Sequence, residues 1–362
     1  MSSIEPVSPF DVIVCACGTQ EYMVRDAVDA AVFRGEVDDK WQKFLRDVAA
    51  EQHADELELE LDESAISAAA EQFRYQHDLI TAEETEAWLA NRALTFDDFS
   101  DYFARQYCVG VVPDGFSSEE IEYVYAAPEL RELFIAELIF SGELEEMTLK
   151  LMWRLAARCA EEEPTSEAIA AEKRKLFCRT KIQPARVENW LEELGRDSHW
   201  LDEMLTMEAA YRTHCDRLLV PEARRRELIG LRLQLTRLEL EIIELESRDA
   251  VKEALLCVQQ DGMSMEEVAT EQRYPYRRTE FLLEELPEDA QDKYLSVSPG
   301  DVLELMPQGE GFQLCRIINK IEPQADDPGV KSRLDQHVLK RHFSELATKY
   351  ISRSLGVPVS AE

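Results

Sequence analysis

The chain lacks any run of about 18 consecutive apolar residues, so a membrane span is not expected. Positive charge is scarce: 40 Lys and Arg stand against 74 Asp and Glu, a formal net charge of -34. A surface of that sign repels phosphate backbones and anionic headgroups. Nucleic acid and membrane are therefore excluded as expected partners, while a basic or apolar peptide fits; in the plainer reading the charge keeps the chain soluble. No Lys or Arg precedes Arg25, and Glu5 and Asp11 fall in the opening stretch. The basic region and apolar core of a secretory signal are missing, and a cytoplasmic location is the expectation. Eight cysteines (Cys15, Cys17, Cys108, Cys159, Cys178, Cys215, Cys257 and Cys315) form one C-x-C and no C-x-x-C. Scattered thiols of this kind are expected to be small buried side chains rather than metal ligands or redox centres. His199 beside Trp200 and His214 beside Cys215 have no acidic or thiol partner at ligand spacing, so no metal is expected. The phosphate-loop, dinucleotide and hydrolase-elbow glycine motifs do not occur, and no cofactor is expected.

What is present is helical periodicity over the first 230 residues. Val24, Ala27, Val28, Ala31 and Val32, then Trp41, Phe44, Leu45 and Val48, recur at three- and four-residue spacing. Before them, "DVIVCAC" reads as one strand ending at Gly18. The helical region repeats. "AVFRGEVDDKWQKFLRDVAAE" from Ala31 matches "LIFSGELEEMTLKLMWRLAAR" from Leu138, and the stretches around Trp88 and Trp190 match likewise, closing at Cys108 and Cys215. Residues 10–110 and 128–217 are read as two related helical modules, joined by "VVPDGFSSEE", a turn and helix cap. Both tryptophans are expected to be core anchors.

After Pro221 the pattern changes. "LTRLELEIIELES" alternates Leu238, Leu240 and Ile242 against Glu239 and Glu241, a strand with one buried face. An amphipathic helix stopping at Gly262 follows, then a short one capped by Ser264 with Glu267 three residues on. Next come an irregular segment containing "YPYRRTEF", a short helix from Pro287, and a β-hairpin turning at "PQGEG". A final helix carries Val338, Leu339, Phe343, Leu346, Tyr350 and Ile351 along one stripe. The expected fold is α+β, in four segments: 1–112, 113–220, 221–322 and 323–362, the last a helix packing on the helical modules.

The order strand, helix, short helix, Leu286-Pro287 helix, Gly300-Asp301-Val302 turn and Gly311-Phe312 strand, with Val268-Ala269 on the second helix, resembles a parvulin-type peptidyl-prolyl isomerase domain over residues 234–322. The N-terminal strand, the helical modules and the last helix around it resemble the SurA and PrsA foldases. A version of this plan without a secretory signal is similar to accessory proteins of bacterial clusters that mature ribosomally made peptides. The resemblance implies a pocket with two histidines, one on the first strand and one on the last. The histidines here are His53, His77, His199, His214, His337 and His342, which leaves none between 215 and 336. Gln313 holds the closing position, and Glu241 or Glu239 is what the first strand offers. No catalytic residue is therefore expected.

What the resemblance leaves is a groove for an extended peptide. Its candidates are Met306, Phe312, Gln313 and Leu314 on the hairpin, with Tyr274, Tyr276, Arg277, Arg278 and Phe281 on the loop above. Alternation sets Phe312 and Leu314 on one face and Gln313 and Cys315 on the other, so one set alone can line it. The ordinary alternatives are core for the first group and solvated loop for the second. The expected function is a non-catalytic, chaperone-like holder of a precursor peptide that presents it to modifying enzymes, as a homodimer. The alternatives are an active prolyl isomerase using Gln313 and Glu241, and a dimeric assembly scaffold.

Overall fold

A computed structural model describes residues 8–112, 127–160, 163–308 and 311–353. In chain order the elements are β1 (Ile13–Cys17), β2 (Gln20–Met23), α1 (Val24–Phe33), α2 (Asp38–Glu56), α3 (Glu63–Gln76), α4 (Ala82–Ala90) and α5 (Phe96–Val111). There follow α6 (Ala127–Phe140), α7 (Glu143–Ala160), α8 (Ser166–Thr180), α9 (Val187–Glu193), α10 (Ser198–Leu218) and α11 (Pro221–Leu231). The remainder is β3 (Arg237–Leu245), α12 (Arg248–Gln259), α13 (Met265–Gln272), β4 (Tyr276–Leu282), α14 (Glu288–Ser296), β5 (Val302–Gln308), β6 (Gly311–Ile321), α15 (Pro328–Tyr350) and β7 (Ile351–Arg353). The class is α+β: a mostly helical chain with two small antiparallel sheets. The interhelical join at 113–120 and the hairpin tip at 309–310 lie outside the described residues.

The chain forms two compact units, residues 1–215 with 342–362, and residues 216–341. In the first, one hydrophobic core runs from Val14 and Phe44 through Phe134 and Leu151 to Leu205 and Ile351, so both helical modules share it. Within each module the chain reverses at matching places. Left-handed residues follow the first helix of each (Gly35 and Gly142), the third (Asp78 and Lys181) and the fourth (Ala93 and Gly195). Each module also ties its second helix to its fifth by a charge pair 54 residues apart, with the signs exchanged: Glu51 with Arg105 at 3.0 Å, and Arg154 with Glu208 at 2.5 Å. Phe343 is fully buried and stacks on Trp153 at 5.8 Å. The N-terminal strand does not stand alone. β1 is the middle of a sheet ordered β2-β1-β7. Its two partners are four and three residues long, too short to show a period of two.

The second unit holds a four-stranded antiparallel sheet ordered β4-β3-β6-β5. On one face Ile243, Leu245 and Leu314 meet Val251 and Ala254 of α12 and Met265 and Val268 of α13. On the other, Leu238, Leu240, Ile242, Cys315 and Ile317 meet Ala290 and Tyr294 of α14. The expectation of one buried face on β3 is thus corrected. A central strand covered by helices on both sides carries apolar residues at 242 and 243 in succession. "YPYRRTEF" is corrected too: most of it is strand β4, not an irregular segment. Its Arg277, Arg278 and Glu280 are exposed, as suits an edge strand guarded by charge. The Ser264–Glu267 capping box starts α13 as the sequence implies.

Gly300 turns the chain into β5 with φ +98°, and its N–H donates to the Ile317 carbonyl at 2.7 Å. A side chain there would meet no atom within 4 Å, so its cost is backbone strain alone. Gly300→Ala is expected to lower the unfolding free energy by about 1–2 kcal/mol. Urea denaturation checks this, and an unchanged midpoint would contradict it.

Candidate functional site

The second unit divides eight of the nine expected groove residues between the two faces of its sheet, which corrects the single groove. Leu314 is 0% exposed and Phe312 and Tyr274 are partly buried beneath α12 and α13, so these three are core. Tyr276 and Arg278 lie on that same side and converge on Glu241, itself 8% exposed. The Tyr276 hydroxyl donates to Glu241 Oε1 at 2.8 Å, and Arg278 Nη2 donates to the same oxygen at 3.0 Å. Arg278 Nε donates to Tyr276 Oη at 2.9 Å, and Arg316 Nη1 lies 4.0 Å from Glu241 Oε2. Burial first, and then the neighbouring carboxylate, pushes the Tyr276 phenol above its ordinary range against the pull of Arg278. The cluster ties β4 to β3 through the shared Glu241 carboxylate.

Gln313, Arg277 and Phe281 occupy the opposite face. Gln313 is 9% exposed and stands across from Glu244 on β3 and from Met306 on β5. The Met306 side chain lies outside what is described. Glu239 and Glu241, expected as neighbours of Gln313, point to the other face, because residues of one face recur every second position and Gln313 pairs with 244. Arg277 Nε lies 3.3 Å from Glu244 Oε1, both about half exposed. Phe281 packs edge-on against Tyr294 at 5.9 Å. Burial pushes the Cys315 thiol, hydrogen-bonded to Tyr294, up to about 11. Where the resemblance implies imidazoles, this face carries a neutral amide beside a carboxylate–guanidinium pair. Among the described residues no cluster of His, Cys, Asp and Glu is arranged to hold a metal ion.

A larger concavity lies in the first unit, a cleft of 790 Å³ that the sequence reading missed. One wall is the α1 stripe Arg25, Val28, Asp29 and Val32, at spacing 3, 1 and 3 on one helical face. Trp41 in the first turn of α2 and Phe134 of α6 form the floor, their rings edge to face at 5.0 Å. Arg131 of α6 and the 193–196 loop after α9 complete the rim. Gly195, at φ +65°, turns that loop so that Arg196 reaches back to α1. Arg196 Nη2 donates to Asp26 Oδ1 at 2.8 Å and Nε to Asp29 Oδ2 at 2.6 Å. Burial holds the Asp29 carboxyl above its ordinary value, and Arg196 only partly offsets this. Arg25 is paired with Asp11 in the same way. The cleft therefore offers an aromatic floor and fixed, planar cations at its edge, a volume within the usual ligand-site range of about 300–1,000 Å³.

No protein-family model matches the chain, and no curated protein matches it. Solved structures similar to it include the peptidylprolyl isomerase PrsA from Bacillus cereus, at 13% identity over 64% of this chain and 90% of that one, with a TM-score of 0.35. The foldase protein PrsA from Streptococcus pneumoniae is 11% identical over 61% and 88%, with a TM-score of 0.25. A SurA-like chaperone of Campylobacter jejuni is 7% identical over 63% and 88%, with a TM-score of 0.20.

Proposed function

We propose that this protein holds an extended peptide in the cleft of its first unit and releases it without isomerising its prolyl bonds. The observation that carries the reading is the 790 Å³ cleft floored by Trp41 and Phe134, with Arg196 and Arg25 at its edge fixed by carboxylates. Aromatic rings bury much area at little entropic cost, and a guanidinium locked in place loses little freedom when it meets a peptide carbonyl or carboxylate. Turnover is a different demand. Rotation about the amide faces a barrier of about 18–20 kcal/mol, and lowering it needs a pocket that favours the twisted bond over the planar one. On the sheet of the second unit, Gln313 sits among an ion pair and a core, with no imidazole pair between residues 215 and 336. In this reading the bound peptide is a precursor under modification, and the further partners are the enzymes that modify it.

The test is a titration of a fluorescently labelled unstructured peptide against the full chain, with a prolyl-isomerisation assay on the same preparation. Saturable binding with turnover at the uncatalysed rate is expected. A flat titration would overturn the holding role, and turnover above background would overturn its passive nature.

A further inference from the structure

Cys17 is the last residue of β1, and Cys159 lies in the last turn of α7. They are 142 residues apart in sequence, yet their Sγ atoms stand 2.9 Å from each other. That is inside the van der Waals contact of two sulfurs and within reach of the bonded separation of about 2.05 Å. Both thiols are free and within the first unit. Cys15, Cys108, Cys215 and Cys315 are buried, whereas Cys159 is exposed and Cys17 half-buried, so a small oxidant can reach this pair and not those. The contact accounts for part of the Cys159 environment as well: burial, then the Cys17 sulfur, pushes its thiol up to about 11.

We propose that Cys17 and Cys159 are a modification site, closing to an intramolecular disulfide on meeting a low-molecular-weight disulfide such as oxidised glutathione. One thiolate attacks a sulfur of the oxidant and expels one thiolate. The second cysteine then attacks the mixed disulfide and expels the other. Two S–H bonds are lost and one S–S bond forms; the oxidant is reduced to two thiols, which take up both protons. In a reducing cytoplasm the pair stands open, and in an oxidising compartment it closes. The bond would fasten the middle strand of the N-terminal sheet to α7 and close a loop spanning 142 positions, which restricts the unfolded chain.

The experiment treats the full chain with oxidised glutathione, blocks remaining thiols by alkylation, and maps the unreduced peptides by mass spectrometry. The expected product joins the Cys17 peptide to the Cys159 peptide with the loss of two hydrogens. The melting temperature should rise by about 10 °C, a gain reversed by reductant and absent in Cys159→Ser. Separate glutathione adducts on the two cysteines, two thiols that remain alkylatable, or pairing of either with Cys178 would each overturn the proposal. Because Cys159 is exposed, its serine variant is not expected to disturb the fold, and the map reads the bond itself.

Discussion

Arg154→Met should lower the unfolding free energy of the protein by about 3 kcal/mol at neutral pH. Arg154 is buried on α7. Its Nε donates to Glu208 Oε2 at 2.5 Å and its Nη1 to the Lys150 carbonyl at 2.9 Å, with the guanidinium 4.2 Å above the Tyr211 ring. Removing it strands the buried Glu208 carboxylate, and the charge left beside it, from buried Arg34 and from Arg212 3.8 Å away and half exposed, compensates only in part. That partial compensation sets the expected loss at the lower end of the range for a broken buried pair. The double variant Arg154→Met with Glu208→Leu should recover most of the loss, since it removes both charges at once. The pH dependence gives the sign independently. Burial alone raises the Glu208 carboxyl, but the charge and hydrogen bonds of Arg154 outweigh it and hold the group below its ordinary 4.5. The pair's contribution is therefore present above about pH 4.5 and lost as pH falls through the depressed value. In Arg154→Met burial acts with less opposition, the carboxyl moves up, and its protonation relieves the strain. The deficit of the variant should be largest near neutral pH and shrink in mild acid. Urea unfolding from pH 7 to pH 4 checks this, and a deficit that grew on acidification would contradict it.

Trp41→Ala should weaken peptide binding at least 30-fold, the loss typical of an aromatic anchor worth about 2 kcal/mol. Trp41 is half-buried and contacts Phe44 at 5.5 Å as well as Phe134, so some stability is lost with it. Circular dichroism on the same sample separates the two effects. Phe312→Ala supplies the contrast. Phe312 is core of the second unit and lines no part of the cleft, so its truncation should lower stability while leaving peptide affinity within about twofold. Equal loss of affinity in both variants would place the peptide elsewhere.

The helices were legible because their signals are local. Ser264 with Glu267, the Gly35 and Gly142 turns and the stripes of Trp41, Phe44 and Val48 all lie within one or two turns of chain. The order of elements from 237 to 321 could be read for the same reason, apart from β4, whose charged edge-strand residues mimic a solvated loop. Strands β2 and β7 are defined by pairing with β1, not by pattern. The division between Phe312 and Gln313 followed from alternation, but which glutamate faces Gln313 depends on the β3–β6 register, a tertiary fact. The cleft was hidden because Val28, Val32 and Trp41 read as core, and nothing local tells an apolar wall from a buried face. The contact of Cys17 with Cys159 had no sequence signature at all.

Photo-cross-linking tests the central claim most directly: a peptide carrying a photoreactive phenylalanine analogue is bound to the full chain, irradiated, and its attachment points are mapped by mass spectrometry. The account predicts adducts on Trp41, Arg131 and residues 193–196 that unlabelled peptide competes away. Competed adducts concentrated on Arg277, Phe281 and Gln313 would contradict it and move the peptide to the sheet of the second unit.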